Sequence, residues 1–228
     1  PGVEMRFKAV VCDVDGTLTN SSKIIQTLGI EVLRQAQDKG CTVMLTSGNV
    51  LPVVYGLSTF IGLRGPVVAE NGGMVSYNDE VHTLFSNEVP FKAYEHLREV
   101  MPGVRRLYTD HWRRTEVGLN READISKVME ALKDWPLEVE ATGFAIHLMQ
   151  KGHSKMAGVR KACELIGVDV SEVAAFGDAD NDEAMLRDCG YGVAVGNASE
   201  KAKRAADLVT KGRHAEGVRE GLLSLGLI

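Results

Sequence analysis

Short, unbroken apolar runs alternate with longer segments of helical period along this chain. Residues 7–12 are apolar throughout after Lys8, the pattern of a strand buried on both faces. A helix is predicted over 28–39, with Thr27 placed to cap its start and Gly40 where a helix usually stops. A second buried strand over 42–46 ends at Ser47-Gly48-Asn49, and a helix over 50–61 carries Pro52 in its tolerant first turn. A strand over 66–69 runs into the turn Glu70-Asn71-Gly72-Gly73, and a hairpin centres on 77–80.

From about residue 83 the texture changes. Helices are predicted over 91–101 and 123–133, and strands over 107–109, 115–119, 137–141 and 144–149, enough for a small α+β unit. After Gly152 the earlier alternation returns. Helices fall at 154–166, 182–187 and 199–205, strands at 173–176, 191–195 and 207–210, and the C-terminal segment is helical. Strands alternating with helices imply a parallel sheet covered on both faces. The fold class is therefore α/β, a doubly wound parallel sheet with an inserted α+β unit at residues 83–152.

Composition narrows the function classes. A length of 228 residues suits one core domain plus a smaller insert, and 44 % apolar with 25 % charged residues is ordinary for a globular chain. The formal net charge of −5 gives no electrostatic footprint for nucleic acid or an anionic membrane. No apolar run approaches the ~18 residues of a membrane span, and the start of the chain has no signal-like apolar region. Residues Pro1 to Glu4 stand outside the fold reading. Cys12, Cys41, Cys163 and Cys189 form no CxxC pair and lack zinc-ligand spacing, so they read as small buried hydrophobes in a reducing, cytoplasmic setting.

Four signals fall at, or just beyond, the ends of predicted strands or at a helix start. They are Asp13-Val14-Asp15-Gly16-Thr17, Ser47-Gly48, Lys155, and Gly177-Asp178 with Asn181-Asp182. In an open α/β sheet ligands bind outside the carboxyl ends of the strands, so these segments are expected to converge. Two carboxylates at about 4 Å repel by roughly 4 kcal/mol at an effective dielectric near 20. Asp13, Asp15, Asp178 and Asp182 together call for a cation, and hard oxygen donors without thiolates suit Mg²⁺. That arrangement suits phosphoryl transfer. Asp13 would attack a phosphate ester and become phosphorylated, while Asp15 would protonate the leaving alkoxide and then activate water. Ser47 would donate to the phosphate, and Lys155 would orient Asp13.

These motifs, in this order, resemble those of the haloacid dehalogenase superfamily. The position of the insert is similar to its Cof-like branch. The resemblance implies a Rossmann-like core at 1–82 and 153–228 and an α+β cap at 83–152. It also implies a metal held by Asp13, Asp15 (through its backbone carbonyl), Asp178 and Asp182. Substrate contacts would come from Ser47, Gly48, Lys155 and Asn181, with Asn181 also fixing its loop. Cof-like relatives usually carry Thr-Gly-Arg where this chain has Ser47-Gly48-Asn49. That departure, with Glu70-Asn71-Gly72-Gly73, His111-Trp112-Arg113 and His147-Leu148-Met149, resembles the archaeal phosphoglycolate phosphatases. The expected partner is a small phosphorylated metabolite, with 2-phosphoglycolate first and sugar phosphates or a broad set of small phosphates second. A homodimer stays open. For a phosphorylated acid, Arg113 or Arg114 is the candidate to meet the carboxylate. His147 and His153 are candidates for the mouth, and Trp112 for packing. A non-catalytic phospho-ligand sensor also gathers acids and a lysine at a sheet end, but needs neither a lid nor the acid Asp15.

Overall fold

The computed structural model describes residues 6–228; residues 1–5, including the Pro1 to Glu4 set aside above, lie outside that range. Strand β1 (Ala9–Asp13) leads to α1 (Thr27–Asp38), β2 (Thr42–Thr46), α2 (Leu51–Ile61) and β3 (Val67–Ala69). A hairpin, β4 (Met74–Tyr77) and β5 (Glu80–Thr83), follows. Next come α3 (Glu88–Val100), β6 (Val117–Asn120), α4 (Ile125–Ala131), β7 (Leu137–Ala141) and β8 (Ala145–Gln150). The chain closes with α5 (Lys155–Ile166), β9 (Val173–Gly177), α6 (Glu183–Asp188), β10 (Tyr191–Ala194), α7 (Glu200–Ala205), β11 (Leu208–Val209) and α8 (Ala215–Ser224).

Among the described residues, one sheet has the order β11-β10-β9-β1-β2-β3-β4-β5 and a second the order β6-β8-β7. From β11 to β3 all pairings are parallel, and the β4–β5 hairpin adds an antiparallel edge. The hairpin turn has Asn78 and Asp79 at φ 51° and 62°, the left-handed pair that matches strand twist.

Alternation along β1 explains the layers. Val10 and Cys12 join α1, α2 and α8 in one apolar core. Ala9 and Val11 point the other way, to Met156 and Val159 of α5 and to Met185 of α6. A third core packs α3 and α4 on the small sheet through Leu97, Val128, Ile146 and Leu148. Asp13 continues the parity of Ala9 and Val11, which aims its carboxylate at the face covered by α5. The chain runs from β1 towards β3 on one side and from β9 towards β11 on the other, so the switch point lies between β1 and β9.

Most predicted elements appear within a few residues. Thr27 is not the cap of α1: Gln26 takes that position without a side-chain bond to the helix, and its Oε1 accepts the Ala215 amide instead. The strand expected at 107–109 reduces to one bridge, Arg106 to Leu119, before a 3₁₀ turn over Tyr108–Trp112. There the Asp110 side chain takes the place of a strand backbone: its Oδ1 accepts the Gly118 amide at 2.6 Å, while the Leu107 amide donates to the Gly118 carbonyl at 2.8 Å. All four cysteines are buried and free.

Candidate active site

Asp13 ends β1, Asp178 follows β9, and Lys155 opens α5 behind the cap of Ser154, whose Oγ accepts the Ala157 amide at 3.3 Å. Lys155 Nζ lies 2.5 Å from Asp13 Oδ1 and 2.7 Å from Asp182 Oδ1, and all three side chains are buried. Burial alone would lower the lysine pKa, but Asp13 and Asp182 outweigh it and raise it, so the ammonium stays charged. Oxygens of Asp13, Asp178 and Asp182 come within 4.8 Å of one another. Burial, then Asp182, pushes the Asp13 carboxyl up, and the same causes push Asp178 up to about 6. One ammonium does not neutralise this cluster, which is the electrostatic condition for a bound cation.

The two aspartates of the last motif do different work. Asp182 Oδ2 accepts the amides of Asp178 and Ala179, both at 3.0 Å, and its Oδ1 is held by Lys155. The Asp178 carboxylate accepts the Thr17 hydroxyl at 3.1 Å and borders the open cavity. Gly16 makes room for it. A Cβ there would lie 2.2 Å from Asp178 Oδ2, and φ is +83°. Asp15 turns away from the cluster: its Oδ2 accepts from Asn49 Nδ2 at 3.1 Å and from Ser47 Oγ at 3.4 Å.

The cavity has a volume of about 340 Å³. Asp13, Asp15, Gly48, Lys155, Asp178 and Asn181 border it, as does the loop Thr142 to Phe144 between β7 and β8. Ser47 stands behind, bonded to Asp15. Asn181 donates to Asn71 Oδ1 at 3.1 Å, and its own Oδ1 is buried without a partner. The orphan oxygen and the three crowded carboxylates are a donor set of oxygen only, which fits a hard divalent cation with its waters.

The insert's charged residues take other places than expected. Arg113 is 4 % exposed, ion-paired with Glu116 and with Asp110 (3.4 Å), and donates to the Gly48 carbonyl at 2.9 Å. It lines no part of the cavity. Arg114 is exposed, and its backbone amide, not its guanidinium, bonds Glu70. His147 is buried between Glu116 (3.2 Å), Asn71 (3.2 Å) and Thr142 (3.0 Å). His153 stacks on Phe85 and reaches the Glu70 carbonyl at 2.6 Å. Trp112 is 43 % exposed and meets Tyr108 edge-on, so it covers surface rather than core.

Sequence reasoning did not single out Asn20, Lys23, Asn197, His214 or the loop 142–144 as part of the site. Asn197 Nδ2 and His214 Nδ1 both hold the Gly16 carbonyl, at 2.9 and 2.7 Å. None of these has a motif, because each arrives through tertiary folding. Asn49 was visible only as a departure from a family pattern; here it is a partner of Asp15.

A doubly wound sheet with a lysine and clustered acids at its switch point belongs to the class of α/β proteins built to handle a phosphate group at the strand ends. A model for haloacid dehalogenase-like hydrolases matches residues 10–109 and 116–222, and the chain belongs to that family. It is 37 % identical to a phosphoglycolate phosphatase of Methanothermobacter thermautotrophicus, over 95 % of this chain and 97 % of that one. A phosphoglycolate phosphatase of Methanopyrus kandleri is 38 % identical, over 95 % and 96 %. A crystal structure of a Thermoplasma acidophilum protein superposes with a TM-score of 0.91 at 32 % identity, covering 99 % of this chain and 100 % of that one.

Proposed function

We propose that this enzyme is a Mg²⁺-dependent phosphatase of small phosphate monoesters, with 2-phosphoglycolate as its substrate. The observation that carries the reaction class is Asp13, buried, 2.5 Å from Lys155 and open to a cavity shared with Asp15 and Asp178. The names of the archaeal relatives support the substrate.

Lys155 fixes Asp13 through Oδ1. Oδ2 accepts a 3.3 Å contact from Thr17, is not the oxygen held by Lys155, and is the one to attack phosphorus. As the Oδ2–P bond forms, the P–O bond to the leaving alkoxide breaks, and Asp15 gives that alkoxide its proton. Asp15 then takes a proton from the water that cleaves the aspartyl phosphate, releasing inorganic phosphate and restoring Asp13. Asn49 and Ser47 hold Asp15 in position. Gly48 and Lys155 border the phosphate end of the cavity. Asp13, Asp178 and the Asp15 carbonyl would hold the cation, with Asp182 supporting from behind. When bound, the ion neutralises the carboxylates and the phosphate so that anion can approach anion. Residues 83–152 act as the cap on a core of 1–82 and 153–228, and the loop 142–144 is the part that closes over substrate.

The test is phosphate release from 2-phosphoglycolate with and without Mg²⁺. Asp13→Asn should lower kcat by at least about a thousandfold while leaving the fold intact. Turnover retained in that variant would remove the covalent mechanism. A strong preference for hexose phosphates would remove the substrate but not the reaction.

A further inference from the structure

A phosphorylated acid brings a second negative charge, and Arg113 does not face the cavity to meet it. Three carboxylates border the cavity, Asp13, Asp15 and Asp178, and all belong to the phosphate end. Among the described residues, the rest of its polar side-chain lining is Thr19, Asn20, Ser21, Lys23, Thr142, Lys155, Asn181, Asn197 and His214, with no acid among them. His214 has already given its Nδ1 to the Gly16 carbonyl. Lys155 is held between Asp13 and Asp182. Lys23 is different: among the described residues it forms no ion pair, and its ammonium sits 5.7 Å from the centroid of the Phe144 ring.

The backbone places it there. Asn20 Oδ1 accepts the amides of Ser22 and Ile24, at 3.0 and 3.1 Å. The Lys23 amide donates to the Asn20 carbonyl at 2.9 Å, and a bridge from Thr19 to Ile25 closes the loop. Lys23 takes φ 60° at the tip, a conformation a lysine adopts only when its turn imposes it. A core loop and a cap loop thus meet across the mouth through one cation and one ring. An exposed cation–π contact is weak and readily exchanged for a carboxylate.

We propose that Lys23 is the specificity-determining residue of this site, pairing with the non-transferred carboxylate of the substrate, and that Phe144 holds its ammonium over the cavity mouth. This rests on the phosphatase reading above and deepens it to one class of substrate, short phosphorylated acids. Phosphate enters towards Lys155 and the acids, and the carboxylate stays under the 19–25 loop. A neutral ester of the same size would use the first end alone.

The experiment compares 2-phosphoglycolate with ethyl phosphate in wild type, Lys23→Met and Phe144→Leu. Lys23→Met should lower kcat/KM for phosphoglycolate by about ten- to a hundredfold, mostly through KM, the worth of one charge-assisted hydrogen bond. Its loss on ethyl phosphate should be several-fold smaller. Phe144→Leu should move the same ratio in the same direction by less. Equal losses on both esters, or no loss on phosphoglycolate, would overturn the role of Lys23. Because ethyl phosphate turnover reports the chemistry by itself, an enzyme that cleaves it with Lys23 indifferent loses only this inference. A wild type that cleaves neither ester loses the phosphatase reading as well.

Discussion

Asp178 and Asp182 are four residues apart and share one motif, yet the structure gives them opposite burdens. Asp182 satisfies an ammonium and two amides. Asp178 is crowded by burial and by Asp182, and its pKa rises to about 6. A carboxylate whose folded pKa lies above its unfolded value of about 3.9 costs stability at neutral pH, and the cost disappears as pH falls below the folded pKa. Asp178→Asn should therefore stabilise the metal-free protein at pH 7.5 by about 1–3 kcal/mol. Under the proposed function Mg²⁺ should raise the Tm of the wild type, and Asp178→Asn should abolish that rise. Asp182→Asn should instead destabilise by about 3 kcal/mol, since Lys155 keeps only Asp13. Thermal scans with and without Mg²⁺ read both, and a destabilised Asp178→Asn would contradict the repulsion. The acids were legible in the sequence because their spacing is fixed by strand and turn geometry. Arg113 was not. A guanidinium looks the same whether it faces substrate or is consumed inside, and the only hint was an acid three residues to either side, Asp110 and Glu116.

At the scale of elements, the buried strands were read within a residue or two because continuous apolar runs have few other uses in a chain of this kind. Helix ends were less legible. The helix predicted over 123–133 spans Ile125–Ala131, since Asp124 caps it through the Ser126 and Lys127 amides and Pro136 soon follows. The turn after β3 was legible as a turn but not as a strained one. Glu70, Asn71 and Gly72 have φ of 50°, 53° and 94° in succession. That turn carries Asn71 to Glu116, His147 and Asn181, and it presses Gly72 against α5. A Cβ on Gly72 would stand 2.0 Å from the Ser154 carbonyl oxygen. Gly72→Ala adds a left-handed non-glycine and a backbone clash, and should cost about 3 kcal/mol, read as a fall in the urea midpoint. Because Ser154 precedes Lys155, activity should fall too. A variant as stable and active as wild type would mean that α5 is free to shift.

Across the whole molecule, the two sheets communicate through buried polar groups rather than through one apolar core. Glu70 accepts the Arg114 and Thr115 amides and the Thr115 hydroxyl. Glu116, fully buried, joins Arg113, Asn71 and His147, and Arg113 reaches on to the Gly48 carbonyl. The sequence could not show this junction, because polar residues on strands and turns are ordinarily solvated and here the packing of the smaller sheet's segment against the larger sheet's buries them. Burial by itself would raise the Glu116 pKa, but His147 and Arg113 outweigh it and hold the carboxyl down to about 2. A depressed carboxylate contributes stability that is present above its unfolded pKa, about 4.3, and is lost as pH falls towards the folded value. The pairing should therefore be worth about 3 kcal/mol at pH 7, fading between pH 4.5 and 2. Glu116→Gln should already lack that contribution at neutral pH. The difference in urea stability between wild type and Glu116→Gln should then shrink steadily over the acid window, from about 3 kcal/mol towards zero. A difference that stays constant with pH would mean that the carboxylate's charge does not hold this junction, which would rest on shape and neutral hydrogen bonds instead.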